Sequence, residues 1–156
     1  MGKIVTQDEI IKIVREGQHN GKTFVVTNGC FDILHVGHAR YLKKTKEFAD
    51  YSIVLLNSDK SVKELKGENR PVNNEDDRAE LLTSLSCVDY VVLFEERSPA
   101  RLLAEIKPDV YTKGADYTIE TLPERDIVKE NNIRVEFIEF VEGKSTTNVI
   151  NMINSK

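Results

Sequence analysis

Two histidines, His35 and His38, stand three residues apart with Gly37 between them. At a helix start that spacing puts both rings on one face. A helix N-terminus already attracts anions through its unpaired N–H groups and its dipole. Two imidazoles added there can donate hydrogen bonds to phosphate oxygens, and Gly37 leaves the surface between them clear. The turn before them, Asn28-Gly29-Cys30-Phe31-Asp32, lets main chain approach a nucleotide closely. Two histidines at helical spacing also suit packing, or zinc with a third ligand; their ten-residue context favours phosphate. The chain has neither GxxxxGK[ST] nor GxGxxG, so a bound nucleotide would have to be held by this turn. Cys30 has no His–Asp relay to activate it and is not expected to act as a nucleophile. Asp32 is expected to fix the turn. His19 reads as a solvated loop residue and Cys87 as core.

The surrounding pattern has to position that turn. Thr6-Gln7-Asp8-Glu9 reads as a capping box, opening a helix that Gly17 is expected to stop. Five apolar runs read as strands: Thr23 to Thr27, Tyr51 to Leu56, Val88 to Phe94, Asp109 to Thr112 and Arg134 to Phe140. Helical patterns lie between them: Val36 to about Phe48, a helix capped by Asn74, one opened by Ser98-Pro99, and Pro123 to Asn131. A last helix follows Gly143-Lys144-Ser145. No element is assigned between Asp59 and Lys66, and a polar connection runs from Lys66 to Pro71. Alternating strands and helices imply βαβ units: an α/β fold with a doubly wound, five-stranded parallel sheet covered on both faces. The polar, glycine-bearing segments all follow strands. They would gather at the carboxyl edge of the sheet, where ligands bind at the reversal of strand order.

The composition excludes several classes of function. The 156 residues suit one domain, with residues 1–22 as helix and connection and 23–153 as the core. A net charge of −4 argues against a nucleic-acid partner. The apolar runs are strand-sized, so no membrane span is expected. Cys30 and Cys87 form no zinc or CxxC spacing, and reduced thiols in the cytoplasm are the plain reading. No cluster of carboxylates reads as a metal cage, so no metal ligand is assigned.

The pattern GxFDxxHxGH followed by a helix resembles the HxGH superfamily of cytidylyltransferase-like nucleotidyltransferases. Within it, the chain is similar to the adenylyltransferases of ADP-heptose synthesis, which act on D-glycero-β-D-manno-heptose 1-phosphate. The likeness covers roughly residues 23 to 153 and rests on four stretches. They are Thr27 to His38, Leu56 to Asn73, Lys113 to Tyr117 and Glu142 to Ile150.

The resemblance implies a Rossmann-like fold. It implies that His35 and His38 hold the triphosphate and stabilise the pentavalent α-phosphate. Asn28, Gly29, Cys30 and Phe31 would offer backbone to the nucleotide, and Gly37 would permit close packing. Lys44 (or Lys43), Lys66, Arg70 and Arg78 match basic positions near phosphates; Arg78 could instead pair with Asp76 or Asp77. Gly114 and Asp116 would line base and ribose. Ser145, Thr146 and Thr147 match a phosphate-binding STT motif at another helix start. The substrates implied are ATP, with Mg²⁺ as counter-ion, and a sugar 1-phosphate used for cell-surface carbohydrate. A homodimer fits the family, and a separate sugar kinase is expected upstream. The alternatives are a cytidylyltransferase for glycerol 3-phosphate or a similar alcohol phosphate, and a nucleotide sensor without turnover. Enzymes for glycerol 3-phosphate carry an Arg shortly before the STT motif, and residues 140–143 hold none.

Overall fold

Strands buried on both faces need apolar side chains pointing both ways, and the five β-rich runs supply them. The structure, a computed structural model, describes residues 1–139 and 146–155. Its elements are β1 (Lys3–Ile4), α1 (Gln7–His19), β2 (Phe24–Gly29), α2 (Val36–Lys46), β3 (Tyr51–Asn57), α3 (Asp59–Lys66) and α4 (Glu75–Thr83). They continue with β4 (Tyr90–Phe94), α5 (Ala100–Ile106), β5 (Val110–Gly114), α6 (Arg125–Glu130), β6 (Arg134–Ile138) and α7 (Thr146–Ser155). The strand order is β1-β4-β3-β2-β5-β6, and every pair is parallel.

The sheet therefore has six strands, not the five expected from sequence. The extra strand, β1, is two residues long. Main-chain amides of Gly2, Lys3 and Val5 dock it by donating to the carbonyls of Thr83, Asp89 and Val91. Two residues cannot show a period, so hydropathy carries no trace of this strand.

Alternation along each strand feeds two cores. Phe24, Val26, Ile53, Leu55, Val92 and Phe94 face the layer of α1, α5 and α6, meeting Ile10, Val14, Leu102 and Val128. Val54, Leu56 and Val91 face the other side, against Leu42 of α2 and Ala79 and Leu82 of α4. Helices cover both faces, as a doubly wound sheet requires.

Gly17 does not stop α1, which runs on to His19. A Cβ on Gly17 would lie 2.5 Å from the Phe24 ring, so the glycine makes room for that ring inside the helix. The unassigned stretch after β3 forms α3, capped by Ser58. Only Ser61 and Val62 of α3 are buried, and its eight residues are fewer than the window over which helical periodicity is read.

Candidate functional site

The strand order reverses between β2 and β5, and a cleft of about 700 Å³ opens at the carboxyl ends of the central strands. That size suits a small-molecule ligand. The turn after β2 forms its floor. Gly29, at the end of β2, leaves room for the Phe31 ring, which a Cβ there would meet at 2.8 Å. Phe31 has φ 45°, in the left-handed region that side chains rarely adopt. Buried Asp32 holds the turn in place. It accepts hydrogen bonds from the amides of Val72 and Asn73 at 2.9 Å and from Arg70 Nε at 3.0 Å. Burial pushes the Asp32 carboxyl up, but those amide and guanidinium donors outweigh it and hold it below the ordinary range. The structural role expected for Asp32 is what its contacts provide. The same bonds bring Arg70 to the rim of the cleft.

The two histidines cap the helix that carries them. His35 is the N-cap of α2, and its Nδ1 accepts from the Gly37 amide at 3.0 Å. His38 Nδ1 accepts in return from the His35 amide at 3.3 Å. This is a capping box built from imidazoles instead of a hydroxyl and a carboxylate. In a neutral ring whose Nδ1 accepts, the proton sits on Nε2. The rings stack with centroids 4.0 Å apart and both line the cleft. Capping thus orients the rings and assigns Nε2–H as the donating edge.

Helix α2 is pinned by a buried cluster of hydroxyls. Thr27 Oγ1 and Tyr41 OH are 2.9 Å apart, and Thr45 and Thr112 hydroxyls 3.1 Å apart. The cluster joins α2 to β2 and β5, so His38 is fixed relative to the two strands that flank the reversal.

Burial, reinforced by the charge of neighbouring His35, holds the His38 imidazole down from 6.5 to about 4. The ring is therefore an uncharged donor at neutral pH. An unfolded chain binds that proton near 6.5 and the folded one near 4, so the unfolded state holds more protons between these values. The ring's contribution is complete above the unfolded value and is lost as pH falls toward the folded one. Its upper limit is about 3 kcal/mol. Urea midpoints measured from pH 7 down to 4.5 should fall more steeply for the wild type than for His38→Asn. Parallel curves would contradict this.

The cleft gathers most of the residues singled out from sequence: Asn28, Gly29, Cys30, Phe31, Gly37, Lys66, Arg70, Gly114, Asp116 and Thr147, besides the histidines. Ser145 lies outside the described residues, as does the side chain of Thr146. Burial pushes the Cys30 thiol up despite nearby Lys66, Arg78 and Arg70. That keeps it protonated and unsuited to nucleophilic attack.

Two basic residues depart from expectation. Lys44 pairs with Glu47 at 3.1 Å on an exposed face and does not line the cleft; Lys43 is exposed as well. Both fall on the side of α2 away from His38. Arg78 is fully buried beneath the cleft and lies against none of its open surface. Its Nε donates to the Asn73 carbonyl, Nη1 to the carbonyls of Cys30 and Asn57, and Nη2 to Asp59 Oδ1 at 2.8 Å. The guanidinium clamps the segments after β2 and β3 and the start of α4. It pairs with Asp59 and not with Asp76 or Asp77.

Sequence reasoning missed Tyr41, Arg97, Ser98, Lys113, Tyr117 and Glu124, all in the lining. Tyr41 follows His38 at helical spacing, a usable signal. Arg97 and Ser98 follow a strand, as every cleft segment does. Nothing in the pattern around Glu124 marks it. Among the described residues, no group of three or more His, Cys, Asp or Glu side chains is placed to hold a metal ion. Nor is any helix among them long and apolar enough to cross a membrane.

A parallel doubly wound sheet with a histidine-capped helix at its reversal point places the chain among Rossmann-like α/β proteins that carry an HxGH turn. The cytidylyltransferase-like family model matches residues 26–152, and the chain belongs to that family. Curated relatives include the bifunctional protein HldE of Campylobacter fetus, 52% identical over 97% of this chain, and that of Geobacter metallireducens, 48% identical over 97%. The chain spans 31% of the length of each of these two relatives. A solved structure, the lipopolysaccharide core biosynthesis protein of Thermoplasma volcanium, aligns with a TM-score of 0.62 and 31% identity. That alignment covers 78% of this chain and 98% of the other.

Proposed function

We propose that the chain transfers AMP from ATP to a sugar 1-phosphate, D-glycero-β-D-manno-heptose 1-phosphate, releasing pyrophosphate. The observation that carries this reading is the imidazole capping box, which sets two neighbouring rings at a helix start in the lining of the cleft. The relatives named for HldE and for lipopolysaccharide core synthesis support the choice of acceptor.

In this mechanism a phosphate oxygen of the acceptor attacks the α-phosphorus. The new P–O bond forms as the α–β bridge breaks, and its electron pair leaves with pyrophosphate. The attacking oxygen is already ionised at neutral pH, so no strong base is needed. Catalysis is positioning plus neutralisation of developing charge. His35 and His38 donate to phosphate oxygens; Lys66, Arg70 and Arg97 supply positive charge at the ends of β3 and β4. Arg78 holds the floor and does not touch phosphate. Mg²⁺ bound with the triphosphate would supply further positive charge to the phosphate oxygens, and no residue of this chain is assigned as its ligand. Function as a homodimer, in the cytoplasm and downstream of a sugar kinase, belongs to the same proposal.

Pyrophosphate should appear only when ATP and the heptose 1-phosphate are both supplied. A thermal-shift panel of ATP, CTP, GTP and UTP should show the largest rise with ATP, since a ligand that binds only the folded state stabilises it. Preferential stabilisation by CTP, with turnover on glycerol 3-phosphate, would replace this reading by the cytidylyltransferase alternative.

A further inference from the structure

Glu124 lies in the cleft, is 3% exposed, and none of the hydrogen bonds described reaches its carboxylate. Its Oε2 is buried without a hydrogen-bond partner among the described residues. The residue is the N-cap of α6, yet its side chain makes no capping bond. Buried carboxylates are ordinarily paired or hydrogen-bonded, because desolvation is costly. A group left this way lowers the stability of the free protein and calls for a partner that arrives with the ligand.

The arrangement of charge narrows what that partner is. Lys66, Arg70 and Arg97 sit beyond β3 and β4, on one side of the histidines. Glu124 and Asp116 follow β5, on the other side, where Lys113 is the one lysine or arginine among the described lining residues and lies with its Nζ 5.2 Å from the Tyr117 ring centroid. Neighbouring strands are about 4.8 Å apart, so the carboxyl ends of β3 and β5, with β2 between them, are about 10 Å apart. Carboxylates repel phosphate, so the β5 end suits an uncharged part of the ligand that donates hydrogen bonds. The terminal torsion of a Glu side chain is soft and roughly two-fold, so either oxygen can turn to meet a donor.

We propose that Glu124 recognises a sugar hydroxyl in the cleft, its carboxylate accepting a hydrogen bond from the ribose of the nucleotide or from the ring of the acceptor sugar. This rests on the nucleotidyltransferase reading above. Glu124 is a substrate-positioning residue with no part in proton transfer. A hydrogen bond to a charged acceptor corresponds to about a 10- to 100-fold change in affinity.

The test uses the full chain and the variants Glu124→Gln and Glu124→Leu. Without ligand, Glu124→Leu should melt at the same temperature as the wild type or higher; a carboxylate with a structural partner would instead give a clear fall. ATP, 2′-deoxy-ATP and 3′-deoxy-ATP are then titrated calorimetrically, and KM is measured for ATP and for the heptose 1-phosphate. Ribose recognition predicts that Glu124→Leu weakens ATP about 10- to 100-fold and that one deoxy analogue binds wild type and variant alike. Acceptor recognition predicts unchanged ATP binding and the same rise in KM for the sugar phosphate. Glu124→Gln, which keeps an acceptor oxygen, should recover part of the loss. If the wild type turns over and both KM values in Glu124→Leu stay within twofold, the proposal is overturned. If the wild type binds no nucleoside triphosphate, the enzymatic reading itself fails.

Discussion

His38→Asn lowers kcat by about 10²–10³-fold and leaves the melting temperature nearly unchanged; loss of one preorganised donor to a developing oxyanion has that size. The choice of Asn separates two jobs of one ring. His38 Nδ1 accepts from the His35 amide, and His38 Nε2 is the edge assigned to phosphate. An Asn side chain reaches about as far as Nδ1, so its oxygen can keep the cap while the distal donor is gone. Gln reaches about as far as Nε2 and should retain part of the activity. His38→Ala loses both, adding roughly 1 kcal/mol of lost capping to the same fall in kcat. Steady-state kinetics and thermal melts on the three variants check this. Near-normal turnover in His38→Asn would contradict the assignment. Because the ring is held down to about 4, its own titration should put no acidic limb on kcat/KM of the wild type between pH 5 and 8.

The second large effect concerns stability. Arg78→Met should cost about 3–5 kcal/mol, since removing one member of a buried, hydrogen-bonded charge network strands its partners. For a chain of this size that is a fall of roughly 6–20 °C in melting temperature. Three carbonyls, those of Cys30, Asn57 and Asn73, would lose their guanidinium donor, and Asp59 its ion pair. Lysine cannot replace the planar fork, so Arg78→Lys should recover little. Urea denaturation followed by circular dichroism measures the cost. A residue that bound phosphate at the surface of the cleft would give the opposite pattern: a large kinetic defect with unchanged stability.

Arg78 also shows where a sequence is legible and where it is not. Arg78 and Leu82 share the buried face of α4 at helical spacing, so the position was marked as inward. The residue type, with Asp76 and Asp77 beside it, pointed outward. Side-chain type and helical phase conflicted, and phase won because four acceptors wait beneath the helix. The five long strands and the HxGH turn were legible because burial on both faces and a specific spacing leave dense local signals. Strand β1 was not, since main-chain amides and two residues define it. Gly17 misled because a glycine that admits a ring looks like one that ends a helix. Lys44 misled for a related reason: its chemistry suits phosphate, but its phase on α2 carries it to the far side and onto Glu47. Glu124 left no mark at all, because its place in the cleft depends on how the segment after β5 folds back.

A crystal structure of the full chain with a non-hydrolysable ATP analogue bears most directly on the proposed mechanism. Nε2 of both His35 and His38 should stand about 3 Å from oxygens of the bound triphosphate, with the capping bonds through Nδ1 intact. A triphosphate seated elsewhere, with both rings beyond hydrogen-bond reach, would contradict it.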